Sequence, residues 1–294
     1  MGATPEELII TDRKESLMRY RRTWILFVAT LCLASACWSQ AQAPASRSSE
    51  ANLTEEQMKE FLLHARVISS RRSSIGITGP SWLTLSDGTV THEASFQPVN
   101  ERKASLQLAD GRTELNFVDS YHYNIAAYEL AKLLGMSDVI PVYVEREWNQ
   151  QVGSLSWRVT VTMDEGTRLQ KKLAPPNPDA WNKQMYNFRV FDQLVQDTDP
   201  NLTNFLITAD WKIWRVDFGR AFRLSRDLQS VKDLPMCGRE LLAKLRALNR
   251  DEVLAKTRPH LTEGELTAMM ARRDKLVTHF QQLIMQKGES AVLF

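Results

Sequence analysis

Apolar residues along this chain switch between two periods, and the switch divides it into a sheet-rich first half and a helix-rich second half. Thr54 with Gln57 three residues later forms a capping-box pattern, and Phe61, Leu62, Ala65 and Val67 supply an apolar side for a helix from about Glu55 to Ile68. Alternation through Trp82–Leu85, the Ser86-Asp87-Gly88 turn and a run from His92 to Val99 predict a small antiparallel sheet. The stretch from Ser120 to Leu134 carries Ile125, Ala126, Tyr128, Leu130, Leu133 and Leu134 on one stripe, with Gly135 as its stop, so it predicts the main helix of this half. Strands rich in β-branched residues are expected at Val139–Glu145 and Ser154–Thr162.

A proline-rich hinge, Leu173 to Pro178, separates the halves. Beyond it, Trp181, Met185, Phe188, Phe191, Leu194 and Val195 recur at helical spacing, predicting a helix over 179–196. After Arg223 the expectation is helix to the chain's end, with Thr262 and Glu265 capping the last one.

Residues 1–52 break the pattern. Arg19, Arg21 and Arg22 precede an apolar run from Trp24 to Cys37, then Ala41-Gln42-Ala43 and a loose polar stretch. That order reads as an export signal over 1–43 followed by a linker over 44–52, with Met18 as an alternative start. Cleavage after Ala43, lipidation at Cys37 or an uncleaved anchor would each deliver the rest of the chain outside the cytoplasm. Any membrane contact would run through this segment. The net charge of +2 and the absence of a long basic run leave a nucleic-acid partner without support. Outside the signal, Cys237 stands alone, and the five histidines show no zinc-ligand spacing.

The candidate chemistry lies in 197–223, DTDPNLTNFLITADWKIWRVDFGRAFR. A polar loop leads into a strand over Phe205–Thr208, a turn at Ala209-Asp210 and a second strand over Trp211–Val216. Such a hairpin brings Asn204 beside Asp217, and one amide oxygen with one carboxylate suits a hard cation that keeps waters and phosphate oxygens as its other ligands. Asp199 remains to orient or deprotonate a hydroxyl. A calcium loop is excluded, since its sixth position is Leu202 and its twelfth is Thr208. The bland reading makes Asp199 and Asn204 turn caps and pairs Asp217 with Arg220 or Arg223.

The intervals Asp199, Asn204 and Asp217-Phe218-Gly219, set after a mainly β half with one main helix, resemble the atypical protein-kinase-like superfamily, in its phosphoinositide-kinase, HipA-type and secreted-kinase branch. The resemblance covers roughly Thr54 to Phe294. It implies an α+β, bilobed fold with an N-lobe over 53–165 and a C-lobe over 166–294. It also implies ATP with Mg²⁺ or Mn²⁺ as cofactor, a hydroxyl-bearing acceptor, Asp199 as the catalytic residue, and Asn204 and Asp217 as metal ligands. Gly76 and Gly79 would cover phosphates, unless they are plain turn glycines, and Trp157 would face the adenine or fill the core. The chain departs from the family where the phosphate-binding Lys and its Glu partner are expected, with Gln97 and Asn124 at those positions and Lys103 as a substitute cation. Three functions therefore stand: an exported phosphotransferase, a catalytically impaired pseudokinase that binds nucleotide or acts as a scaffold, and an unrelated exported lipoprotein.

Overall fold

The structure is a computed structural model and describes residues 53–72, 80–107, 111, 113–199 and 201–294. The expected signal segment and the Gly76–Gly79 loop lie outside the described residues. No helix among the described residues is long and apolar enough to cross a membrane.

The first helix, α1 (Glu55–His64), begins with the expected capping box, Thr54 and Gln57 exchanging side-chain and backbone hydrogen bonds. It ends earlier than its apolar pattern suggests, because Val67 and Ile68 belong to a strand. That strand, β1 (Arg66–Arg72), is followed by β2 (Ser81–Ser86) and β3 (Thr91–Gln97). The β2–β3 turn is an Asx turn: the Asp87 carboxylate accepts from the Thr89 and Val90 N–H groups, and Gly88 takes the left-handed φ of +94°.

Next comes a hairpin that the hydrophobic pattern does not announce, β4 (Asn100–Gln107) and β5 (Thr113–Ser120), which among the described residues forms a two-stranded sheet of its own. Helix α2 (Tyr121–Leu133) then starts at the Ser120 cap and stops at Gly135, as its stripe predicts. Strands β6 (Tyr143–Trp148) and β7 (Gln151–Trp157) complete an antiparallel sheet of order β1-β2-β3-β7-β6. Both are displaced from the expected ranges because Asn149 and Gln150, each at positive φ, make a two-residue turn that sets the register at Trp148 opposite Gln151. Leu83, Leu85, Ala94, Phe96 and Leu155 point from this sheet into a core shared with Ala126, Tyr128, Leu130 and Ala131 of α2.

Strand β8 (Met163–Asp164) and a short α3 (Glu165–Gln170) lead into the hinge and α4 (Pro178–Val195), which opens with proline at its first position and an Asn177 cap. The hairpin β9 (Phe205–Ile207) and β10 (Ile213–Arg215) follows, with β8 as its third strand. The chain from Leu224 to Gly238 is not the helix expected. It holds only one short 3-10 turn, consistent with a run rich in Ser, Asp and Gln that ends at Pro235. Helices α5 (Arg239–Ala247), α6 (Arg250–Thr257) and α7 (Glu263–Lys287) close the fold, the last with the expected Thr262–Glu265 capping box.

Arg272 of α7 locks this half together. Fully buried, it donates to the carbonyls of Leu194 (2.8 Å), Arg223 (2.8 Å) and Ser225 and to the Gln196 side chain (3.2 Å), so one guanidinium holds the end of α4 and the strand exit. Burial pulls its pKa down to about 10. Arg272→Leu strands these buried acceptors, each at about 1–3 kcal/mol. Urea unfolding of the variant should show a stability loss on the order of 3 kcal/mol or more, summed over those acceptors. A loss under about 1 kcal/mol would mean that the guanidinium carries little of the packing.

Candidate active site

The loop between α4 and β9 and the exit of β10 are fastened to each other from below. Arg215, the last residue of β10, is buried and ion-paired with Asp197, and its Nε lies 3.4 Å from the Asp192 carboxylate. Its guanidinium also lies over the rings of Phe205 and Phe218, at 4.8 and 4.9 Å from their centroids. Burial pushes the Asp197 carboxyl up to about 7 against the pull of Arg215. The other Asp197 oxygen accepts the N–H of Asp199 at 2.9 Å. Two residues beyond each partner of the ion pair stand the two candidate carboxylates, Asp199 and Asp217.

Asn204 is brought in by the same frame. Its carbonyl accepts the Val216 N–H at 3.0 Å, and its side-chain amide donates to Asp199 Oδ2 at 3.3 Å. Asp217 sits in the left-handed region at φ 61°, a conformation that costs a non-glycine residue energy and persists where its surroundings fix it. Those surroundings are specific: its N–H points at the Tyr143 hydroxyl (3.4 Å), and the Phe218 N–H donates to Asn124 Oδ1 at 2.6 Å. The Phe218 ring packs edge-on against Phe191 at 5.6 Å. The Asp217 carboxyl pKa is raised, by desolvation first, opposed by Arg215 and reinforced by Asp199. Its side chain keeps an exposed face despite the crowding, so solvent tempers that rise.

A third carboxylate, missed in the sequence, completes the group. Ser120 N–H donates to the Gly219 carbonyl at 2.8 Å, drawing the end of β5 onto the Asp217-Phe218-Gly219 turn. A Cβ at Gly219 would lie 2.5 Å from Asp119 Oδ1, so any larger residue displaces that carboxylate, and 3.5 Å from Asp217 Oδ1, an ordinary contact. Asp119 is pushed up to about 6 by burial first and then by the Asp217 charge, with Arg220 pulling the other way. In sequence it is an acidic residue just before a helix cap, a position with many bland explanations. What marks it is the β4–β5 hairpin, which the hydrophobic pattern does not announce.

The first-lobe residues fall out differently. Gln97 is opposite Ser154 in the β3–β7 ladder, and Ser154 Oγ accepts from Asn124 Nδ2 at 3.4 Å, so Ser154 links the two strand and helix positions. Gln97 Oε1 is buried without a hydrogen-bond partner. Lys103 is on β4, 2.7 Å from Glu101 and beside the Phe117 ring. Among the described residues no lysine or arginine pairs with Gln97, Asn124 or Asp217. The bland pairing of Asp217 also fails, because Arg220 and Arg223 both form ion pairs with Glu114 of β5. Trp157 stacks on His92 at 3.6 Å and meets Phe61 edge-on. It lines a cavity of about 580 Å³ to which none of Asp199, Asn204 and Asp217 contributes.

The scattered histidines are not all scattered in space. His122 Nδ1 and His260 Nδ1 approach to 3.0 Å, with Glu145 Oε2 at 3.7 and 4.0 Å from them, an arrangement that sequence spacing does not reveal.

The chain matches no protein-family model and no curated protein. Solved structures do match. A hydra Fam20 solved with sugar superposes with a TM-score of 0.62 at 12% identity, covering 81% of this chain and 91% of that one. The Golgi casein kinase bound to Mn and ADP gives 0.60 at 11% identity, covering 82% and 79%. CtkA, a proinflammatory kinase of Helicobacter pylori, gives 0.50 at 10% identity, covering 76% and 98%. The chain has an atypical protein-kinase-like fold. This kinase-like fold is bilobed, with a sheet-rich N-terminal region and a helical C-terminal region, related to that of the Fam20, Golgi casein kinase and CtkA proteins.

The Asp119 carboxyl generates a test of the acidic group. Its folded-state pKa of about 6 lies above the ordinary 3.8, so the folded protein holds a proton that the unfolded chain has released between those values. Its stabilising contribution is full below about pH 4 and is lost as pH rises through about 6. In metal-free buffer, Asp119→Asn should therefore melt higher than wild type at pH 8, with the gain vanishing near pH 4. Parallel melting curves at every pH would show that Asp119 does not feel its acidic neighbours.

Proposed function

We propose that this chain is an exported phosphotransferase that uses ATP with Mg²⁺ or Mn²⁺. The observation that carries the reading is the convergence of Asp199, Asn204 and Asp217 on the Arg215–Asp197 frame, with Asp119 as a third carboxylate. Carboxylate and amide oxygens are hard donors, and too few of them gather here for an all-protein calcium cage. They fit a cation whose remaining ligands are phosphate oxygens and water. Asn204 and Asp217 would hold it, Asp119 would add charge at its edge, and the cation when bound would offset the negative charge of phosphate.

Asp199 would orient the acceptor hydroxyl and receive its proton. Beside it, a cleft of about 930 Å³ runs between the β4–β5 hairpin and the second lobe, lined by Lys103, Asp197, Thr198, Arg220 and Arg223 among others. None of Asp119, Asp199, Asn204 and Asp217 lines this cleft; it meets the Asp199 loop at Asp197 and Thr198, past which an acceptor would reach Asp199, and its mixed charge suits a polar, hydroxyl-bearing group. The likeness to Golgi and Fam20 proteins supports an exported location, as does the expected N-terminal signal.

A second reading, a pseudokinase, has its own observation: Gln97, Ser154 and Asn124 are neutral where a lysine–glutamate pair is expected. A neutral amide hydrogen-bonds phosphate without offsetting its charge. Transfer from labelled ATP in the presence of Mn²⁺ separates the two. The full chain should label itself or a generic protein acceptor, and Asp217→Ala should lower the rate at least about 100-fold, the scale of losing a principal charge-stabilising group. Equal background from both proteins, with a Mn²⁺–ATP shift in the wild-type melting curve, would favour the pseudokinase.

A further inference from the structure

Apart from the acidic loop, a second cluster joins three elements from both halves of the molecule. His122 is in the first turn of α2, Glu145 on β6, and His260 in the connection between α6 and α7. Their nearest atoms, two imidazole Nδ1 and one carboxylate oxygen, lie 3.0, 3.7 and 4.0 Å apart. A tetrahedral zinc ion with ligands at roughly 2.0–2.1 Å holds them about 3.3 Å from one another, a spacing that these distances bracket.

We infer that His122, Glu145 and His260 form a site for a zinc-type transition-metal ion that ties the N-terminal sheet and α2 to the C-terminal helices. The donor set decides the class of metal. Two imidazoles and one carboxylate suit zinc, whereas Mg²⁺ takes oxygen ligands and keeps its water. Three protein ligands leave one position for water, as in open zinc sites.

The surroundings support a built site. The Tyr121 hydroxyl donates to Glu145 Oε2 at 3.2 Å, the outer hydrogen bond that orients a metal-binding carboxylate, and the Tyr121 and His122 rings lie 4.1 Å apart. The His260 N–H donates to the Thr257 carbonyl at 2.6 Å, fixing the loop at the end of α6, which packs against α2. Without a metal, the two Nδ1 atoms at 3.0 Å share one proton beside a carboxylate, which is the competing account of the same geometry.

A cation here would act as a brace. The α2 helix carries Asn124, which holds the Phe218 N–H, and β6 carries Tyr143, which faces the Asp217 N–H. Fixing His122 and Glu145 to the α6–α7 connection therefore fixes the two residues that shape the turn carrying Asp217. No residue of the acidic loop belongs to the cluster, so the two sites are separable by mutation.

The test uses the full chain stripped with chelator and titrated with Co²⁺ and then Zn²⁺. Co²⁺ should give the visible absorption of a four-coordinate nitrogen–oxygen site at one equivalent, and Zn²⁺ should displace it and raise the melting temperature. His122→Gln and His260→Gln should abolish the absorption and the thermal shift, and Asp217→Asn should keep both. Tyr121→Phe, which leaves every ligand in place, should weaken Zn²⁺ about 10-fold, the scale of an outer-shell loss. If a histidine variant melts abnormally in chelator, Glu145→Gln replaces it. Absence of the absorption in wild type, its persistence in the histidine variants, or its loss in Asp217→Asn alone would overturn the proposal.

Discussion

The buried Arg215–Asp197 ion pair is the constraint on which the candidate site depends. Taking a guanidinium and a carboxylate out of water costs several kcal/mol per ion, which their attraction offsets only when geometry and extra partners are good. Here the partners are numerous: Asp192 is a second acid, the Phe205 and Phe218 rings flank the guanidinium, and Asp199 N–H occupies the far oxygen of Asp197. An apolar pair of the same volume would pack the lobe as well. It would not fix the backbone of two chain segments that each carry a candidate carboxylate two residues further on. The pair thus converts fold stability into the position of Asp199 and Asp217.

That position is expensive in charge. The Asp217 and Asp199 charges raise the cost of ionising Asp119, the Asp199 charge raises that of Asp217, and Asp217 adopts a left-handed backbone conformation. Residues that raise the energy of the folded chain in this way are candidates for a site prepared for something else, which in the proposed function is a cation. The first lobe offers no matching investment. Gln97, Ser154 and Asn124 form a neutral polar seam, and Asn124 spends its carbonyl on the Phe218 N–H, where it shapes the turn.

Much of the fold was legible because helix caps and turns carry local chemistry. Thr54–Gln57 and Thr262–Glu265 cap the helices their patterns announce, while Ser120 and Asn177, read as a helix start and as part of the hinge, are also N-caps. The elements that were misplaced depend on distant partners. Val67 and Ile68 continue the apolar stripe of α1 but belong to β1, where Val67 pairs with Leu85 of β2, and the register of β6 and β7 follows from two positive-φ residues, Asn149, a turn former, and Gln150, which is not one. The β4–β5 hairpin has one buried residue in β4 and β5 before Ser120, Phe117, so no alternation reports it. In the site, Asp199, Asn204 and Asp217 were visible through their intervals within one hairpin. Asp119 and the His122–Glu145–His260 cluster were not, since tertiary folding alone joins them.

In the proposed function, the Arg215–Asp197 frame presents Asp199, Asn204 and Asp217 to a hard divalent cation on a nucleotide. The most direct measurement is anomalous diffraction from crystals of the protein grown with Mn²⁺ and ADP. The account predicts an anomalous peak within coordination distance of Asn204 and Asp217, with nucleotide density beside it and the Arg215–Asp197 pair intact beneath. Bound nucleotide elsewhere, or Mn²⁺ found only at His122, Glu145 and His260 with the acidic loop empty, would contradict it.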